Sequence, residues 1–592
     1  MVMSAQFKLF FRLLKRHLTR LLTIIAIVVV SVGFMAGIGE VENKIKISVD
    51  DYYISQNVSD IYLKSKNQLG FSQQEINYIE NQFSHHNIMK TFCYETYIND
   101  ELVRVYSYDI ENANINKLQI VEGNFPKAGN EIVVERKTSK INGYELGQEI
   151  TLNNNKFTVC GIVLNPLILN QVEEPSFQYE NKHIENVIYI NTNNNFITND
   201  IYIALENRLL FDSFSKNYKQ TINNTKTQII NELGEENVSV LGLSENFGIY
   251  SLVSYAEKVG LIGIIFVVFF LLVTLLVVYS TMSRLIEEER SHIACQKTLG
   301  CSDTKIIVKY ILFVLFATLV GGLLAFGVGL ALTKIIYSAF NLQYAMPPFP
   351  TSANFVYYLL TFVIILLATT ILTTLTAVKI IRHKPVVLLT PKAPKKGKKV
   401  FMEKIPFVWN RLSFKYKSTF RNVLLFKSRF LMTVVSVIGA TVLVFAGLGL
   451  MDCATKIDGG SSLITISAAL IVFSAILCAL VIYNLTNINV SERSREISTL
   501  MVLGYNNKEI TGYIFREVYI MSAIGAVLGI PLGYGFIGFV FSLIDFGAVT
   551  DINWWTYLIT PIVTMIFSFL STRLLYKKIT KTDMNASLKS IE

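Results

Sequence analysis

The chain alternates between long apolar runs and polar stretches, and eight of the runs have the length of a bilayer core. They fall at about Leu21 to Ile38, Val259 to Tyr279, Ile306 to Lys334, Phe355 to Val378, Phe430 to Leu450, Leu463 to Ile488, Ile510 to Phe541 and Trp554 to Tyr576. A helix needs about 20 mostly apolar residues to cross the hydrocarbon region, and any excess is taken up by tilt or by extension beyond it. Ahead of the first run, Lys8, Arg12, Lys15, Arg16 and Arg20 interleave with Phe7, Leu9, Phe10, Phe11, Leu13 and Leu14. That pattern predicts an amphipathic basic helix lying on a membrane surface. No short apolar core with a small-residue cleavage site precedes the first run, so it is expected to stay as an anchor.

Between the first and second runs, residues 40–255 turn polar and Asn-rich. Short β-like runs between turn residues predict strands at Asp60 to Lys64, Leu102 to Tyr106, Glu131 to Glu135, Glu149 to Leu152, Phe157 to Val163 and Val187 to Ile190. Ser72 to Gln82 reads as a helix. Phe211 to Leu233 reads as a second helix, polar enough for a stalk or arm outside the core. A stretch of this size can bury a core of its own, so an inserted α+β domain is expected.

Two other stretches repeat each other. Glu288 to Gly300 and Glu492 to Gly504 each follow an apolar run, and laid together without gaps Ile293 falls on Ile497, Leu299 on Leu503, Gly300 on Gly504 and Ile306 on Ile510. The register holds into the next run, where Gly321, Leu324 and Gly329 meet Gly525, Leu528 and Gly533. Self-similarity of this length points to internal duplication. Each copy reads as a short charged helix leaving a membrane span. In the second, Ile497, Leu500 and Met501 make the apolar stripe and Glu492, Arg493, Arg495 and Glu496 the wet face. Gly300 and Gly504 sit where a left-handed C-terminal cap is wanted, and Asn506 with Glu509 predicts the cap of the following helix.

A charged elbow is therefore expected twice. Glu289, Arg290, Ile293, Lys297, Leu299 and Gly300 form the first; Arg493, Arg495, Glu496, Ile497, Leu500, Leu503 and Gly504 form the second. Gly321 and Gly329 in the third run, with Gly525, Gly529 and Gly533 in the seventh, offer small faces for close helix packing. Pro531 predicts a kink in the seventh. Glu517 stands as one of few ionisable residues in the spans, read either as a functional contact or as a snorkelling side chain. Asn484, Thr486, Asn487 and Asn489 either hydrogen-bond across a bundle or sit solvated at the interface.

With 52% hydrophobic and 17% charged residues over 592 positions, the composition is that of a membrane protein. The formal charge of +10 comes from Lys and Arg placed beside apolar runs, which favours anionic head groups and sets orientation; no nucleic-acid partner is expected. The loops 339–353 and 542–553 contain no Lys or Arg, while Arg573, Lys577, Lys578 and Lys581 close the chain. Eight spans with both termini cytoplasmic satisfy these asymmetries. The expected organisation is a basic helix and first span at 1–39, an extracytoplasmic domain at 40–255 and three spans at 256–383. A basic Pro- and Lys-rich linker at 384–427 and four more spans at 428–592 complete it. Six cysteines show no metal spacing, and Cys93 and Cys160 are either a pair or two buried thiols. His292 beside Glu288 and Glu289 reads as a solvated elbow face, since the three make no ligand spacing for a metal or proton switch. No nucleophile motif appears, so no catalytic residue is expected.

The elbow Arg495-Glu496-Ile497-Ser498, Leu500 and Leu503-Gly504 resembles that of the FtsX-like permeases, the MacB type of ABC transporter membrane subunit. The first copy keeps Ile293-Ala294, Lys297 and Leu299-Gly300 but has His292 where Glu is usual and Gln296 where Leu is usual. Leu118, Glu122-Gly123, Pro126, Glu131 to Val134, Gly147 and Val159 to Val163 resemble the core of the MacB-like periplasmic domain. Pro385 to Leu389 and Asp583 to Leu588 resemble the family's tails after each fourth span. The resemblance implies a polytopic helical protein of two four-helix repeats with one inserted α+β domain, in a bacterial cytoplasmic membrane. No Gly-x-x-x-x-Gly-Lys-[Ser/Thr] loop is present, so ATP and Mg are expected on two copies of a separate nucleotide-binding subunit. The function implied is ATP-driven movement of the outer domain, exporting or extracting a peptide, lipoprotein, antibiotic or other amphiphile, with an extracytoplasmic protein or peptide as a further partner. The alternative is a regulator that activates a cell-wall hydrolase or a signalling partner and transports nothing.

Overall fold

The computed structural model describes residues 5–127, 129–136, 143–170, 174–192, 197–206, 212–350, 356–390, 403, 406–411, 413–425, 427–456, 461–544 and 547–580. Two compact units emerge. One comprises Met1–Glu40, Leu261–Thr333 and Asn354–Glu592, the other Val41–Gly260 with Lys334–Ala353. In chain order the helices are α1 (Ala5–Arg16), α2 (Leu18–Ser55), α3 (Gln73–Gln82), α4 (Lys216–Leu233), α5 (Phe247–Glu288), α6 (Arg290–Thr298), α7 (Asp303–Phe340) and α8 (Val356–Ile381). There follow α9 (Pro385–Leu389), α10 (Pro406–Arg411), α11 (Phe414–Leu425), α12 (Lys427–Ala454), α13 (Ser461–Glu492), α14 (Ser494–Val502), α15 (Asn507–Ile544) and α16 (Trp554–Thr580).

Eight helices in the described residues, α2, α5, α7, α8, α12, α13, α15 and α16, are long and apolar enough to cross a membrane. The chain is a multi-pass membrane protein. Helices α2, α5 and α7 run past the ends of their apolar runs and continue without a break from the first unit's residues into the second's. In the first unit, α2 and α12 are the most buried of the spans, and α8 and α16 are largely exposed.

Small residues let the helices approach closely. A Cβ on Gly321 of α7 would stand 2.9 Å from Val28 of α2, and one on Gly525 of α15 would stand 2.7 Å from Val437 of α12. Gly529 meets Thr441 and Gly533 meets Phe445 in the same way, at 2.7 and 2.9 Å, while Gly329 lies against the backbone of Gly33 and Gly37. Inserting even one methyl there forces backbone shifts, since interiors are already close-packed. Gly327 and Gly535 face open space, so they take no part in this packing. Pro531 is accommodated inside α15 with no break in the helix. Aromatic contacts join the halves: Phe34 of α2 stacks on Phe270 of α5 at 4.5 Å and touches Phe473 of α13, and Phe269 lies 4.0 Å from Phe536 of α15. The Asn484 amide donates to Thr281 Oγ at 2.8 Å, and Thr486, Asn487 and Asn489 are buried, so these polar residues serve the bundle interior rather than the water interface.

The second unit is built on strands β1 (Ile61–Ser65), β2 (Asn87–Ile98), β3 (Glu101–Tyr108), β4 (Gln119–Gly123), β5 (Glu131–Glu135), β6 (Glu149–Leu152), β7 (Asn155–Leu164), β8 (Asn186–Asn191), β9 (Asp200–Ala204) and β10 (Val238–Gly242). They form one sheet in the order β10-β1-β9-β2-β3-β8-β5-β7-β4, with β6 beside β7. Pairing is antiparallel except for β3 with β8 and β5 with β7. Along β3, Leu102 and Tyr106 join one apolar cluster while Val103 and Val105 join the other, so both faces of the sheet are covered. The Asn-rich composition has a local cause: Asn99-Asp100 and Asn153-Asn154 take positive φ in the two-residue turns of the β2–β3 and β6–β7 hairpins, where Asn and Asp tolerate the left-handed region.

Two expectations are corrected here, and one open alternative is resolved. Helix α4 is not an outlying arm: Tyr218, Ile222, Ile229 and Leu233 are buried on one stripe, and α4 packs on β10. Residues 339–353, read as a plain loop, belong to this unit, where Tyr344 bridges Asn170 and Ala345 N donates to Leu169 O at 2.8 Å. Cys93 and Cys160 are free thiols, the first buried. Arg104 of β3, only 1% exposed, clamps the unit's interior: Nε and Nη2 donate to Glu95, Nη1 to Glu174 and Nη2 also to the Pro175 carbonyl.

Candidate functional site

Each elbow begins with a one-residue break in a long helix. Glu289 separates α5 from α6 and Arg493 separates α13 from α14, and both short helices are nine residues long. Each ends on glycine in the left-handed region, φ 85° at Gly300 and 86° at Gly504. The closing hydrogen bonds repeat position for position: Gly300 N to Lys297 O and Cys301 N to Gln296 O in one, Gly504 N to Met501 O and Tyr505 N to Leu500 O in the other. This is the paired closure of a Schellman cap. Asn506 N donates to Glu509 Oε2 at 3.1 Å, which supplies one half of the capping box expected at the head of α15.

The helices turn equivalent faces inward and outward. Ile293 and Ile497 are fully buried, and Ile497 sits with Ile510, Ile514 and Phe515 of α15 while Leu500 and Met501 pack at its edge. Leu299 and Leu503, by contrast, are 82% and 67% exposed just before the cap glycines. No internal packing need explains a leucine at such a position. On the first elbow Lys297 Nζ reaches Asp303 at 3.0 Å and the carbonyls of Ile381 and His383, while Arg290 Nη2 donates to Val387 O at 2.8 Å. The short helix α9 is thereby clasped against α6, with Val386 exposed beside it.

Two residues expected on the wet face are buried instead. Arg493 forms a two-pronged ion pair with Glu517 of α15, at 2.7 and 2.6 Å, with both side chains nearly inaccessible. Glu517 thus neither snorkels nor stands alone. In the first elbow the equivalent residue carries the opposite charge. Glu289 accepts from His17 at 3.3 Å and pairs with Arg16 at 3.1 Å, and Glu288 pairs with Arg20 at 2.5 Å. His292 accepts from Arg16 at 2.8 Å. Glu496 stays exposed, 3.9 Å from Arg493, and the side chain of Arg495 lies outside the described residues, as do the linker lysines Lys395 to Lys399 and the tail Asp583 to Leu588. Sequence signal for these ties was absent, because Glu517 and His17 lie far from their partners along the chain.

Burial works against the charge of Glu289, but the His17 hydrogen bond and the field of Lys309, Arg16 and His292 outweigh it and hold its carboxyl below the usual range. A carboxylate depressed on folding contributes its stabilisation above the unfolded value and loses it as pH falls through the folded one. A spin label at Lys15 is therefore expected to stay immobile on acidification until the pH passes below about 4.3, the ordinary Glu value. Glu289→Gln frees the label at every pH, and a label already mobile at pH 6 in the parent chain contradicts the tie.

A family model described as FtsX-like permease C-terminal matches residues 264–385 and, separately, 468–584. Each match contains one elbow and the spans on either side of it. No curated protein matches the chain.

Proposed function

We propose, for a chain that carries the FtsX-like permease C-terminal domain twice, that it is the membrane subunit of an ABC system whose ATP hydrolysis takes place on separate subunits. The permease-type membrane role follows from the family. The finer reading is mechanotransmission: closure of two nucleotide-binding subunits, holding ATP and Mg, pushes on the elbows and moves the sheet-bearing unit, for export or extraction of a peptide, lipoprotein, antibiotic or other amphiphile. One observation carries this reading. The two elbows are closed by the same hydrogen bonds at equivalent positions, and each presents an exposed leucine at its tip.

Other features agree. The glycine contact of α7 on α2 recurs between α15 and α12, as two four-helix repeats require. Arg493 and Glu517 neutralise each other near the elbow, which suits force transmission better than ion passage. In this reading the elbows and both termini face the cytoplasm of a bacterial cell and residues 41–260 lie outside.

One permease chain then serves two motor subunits. Native mass spectrometry of the complex purified with its co-expressed ATPase is expected to weigh one permease with two motors. Leu503→Asp, a change on an exposed side chain that leaves the fold intact, removes one motor, and Leu299→Asp with Leu503→Asp removes both. Two permeases per two motors, or full motor binding by the double variant, overturns the proposal.

A further inference from the structure

The second unit encloses a cavity of about 240 Å³ beside the Arg104 clamp. Its walls are aromatic. Tyr62 and Tyr202 stack at 4.9 Å on one side, Tyr106 and Phe247 contribute others, and Phe177 closes a further side with its ring 3.9 Å from both the Lys64 ammonium and the Arg104 guanidinium. Pockets for drug-sized ligands run to roughly 300–1,000 Å³, so the occupant here is smaller, on the scale of one ring with a short head group.

Charge decides which head group. Three carboxylates, Asp60, Glu174 and Glu245, line the space against one guanidinium. Arg104 already commits at least four hydrogen bonds to Glu95, Glu174 and the Pro175 carbonyl, so it has no fork left for an anion. Glu95 behind it adds a fourth carboxylate. Lys226 pairs with Glu245 at 2.5 Å, and Lys64 is matched by Asp200 at 3.9 Å. Carboxylates still outnumber cations around the cavity. The opposing influence is the start of α5 at Phe247, since a helix N-terminus carries about half a positive charge. Asn246 Oδ1 accepts from Ile249 N there and uses part of it. The carboxylate excess is larger, and tyrosine faces add cation–π attraction for a desolvated ammonium.

We infer that this cavity binds a small organic cation with an apolar body, a primary or quaternary ammonium on an aromatic or short alkyl group. The site lies wholly in residues 41–260, so its occupancy does not depend on the ATP coupling proposed above. Its position matters because Phe247, the first residue of α5, forms part of the wall.

The test is calorimetric titration of the full-length protein in zwitterionic nanodiscs with benzyltrimethylammonium, and with 3-phenylpropionate and 3-phenylpropanol as anionic and neutral comparators. One saturable site per chain is expected for the cation, at least tenfold tighter than for either comparator. Two variants with opposite signs separate binding from structural damage. Glu245→Gln weakens the cation several-fold, and Lys226→Met, which removes a competing cation, tightens it. Equal affinity for all three probes, no saturable binding of the cation, or unchanged cation affinity in both variants overturns the inference.

Discussion

Arg493→Met lowers the stability of the membrane bundle by about 3–5 kcal/mol, because it strands the Glu517 carboxylate in an interior that water does not reach. Removing one member of a buried pair costs far more than the pair itself contributes, since the survivor keeps its desolvation penalty and loses its partner. The double change Arg493→Met with Glu517→Leu is therefore expected to recover most of the loss, as apolar replacements of similar volume usually do. The measurement is a denaturation series in mixed micelles for the parent, both single variants and the double. If the double variant falls by the sum of the singles, the two side chains are not coupled and the ion pair is not what holds α14 to α15.

Arg104→Met has an effect of similar size in the other unit. Glu95 and Glu174 lose their common cation, although Glu95 keeps the amides of Phe177 and Gln178 as donors. That partial compensation places the expected cost near the lower end of the range, about 3 kcal/mol. The change is local, so hydrogen exchange is the sharper reading. The amides of Phe177 and Gln178 are expected to exchange on the order of 100-fold faster in the full-length variant, at about 1.4 kcal/mol per factor of ten. Unchanged protection there, with the Ser176 and Glu95 contacts intact, means the segment is held by something other than Arg104.

The eight spans were legible because a bilayer demands long apolar runs, and few other folds produce so many. The elbows were legible through repetition, and the cap glycines through the single backbone region that favours glycine. Strands with clean alternation, such as Glu149–Leu152, were also readable. The sequence reading passed over β2, β4, β9 and β10. In β2 the inward-facing Glu95 disguises a core position as a polar one, because its charge is satisfied by Arg104 on the next strand. In β9 every residue is buried, so the strand shows no alternation, and it opens on Asp200, which burial pushes up to about 6 against the pull of Lys64. Helix α4 misled for a related reason: its buried Tyr218, Ile222, Ile229 and Leu233 are set among Asn, Thr and Lys. At the elbows, the face assigned to Glu289 and Arg493 failed because an ionised side chain goes inside when a remote partner awaits it. Local pattern cannot report a remote partner.

Glu289 and Arg493 occupy equivalent places with opposite signs, and they are secured to different things: one to the amino-terminal residues Arg16 and His17, the other to the span that follows it. The two corners are therefore not interchangeable parts. Cutting away or tagging the first sixteen or so residues would slacken one corner and leave its twin taut.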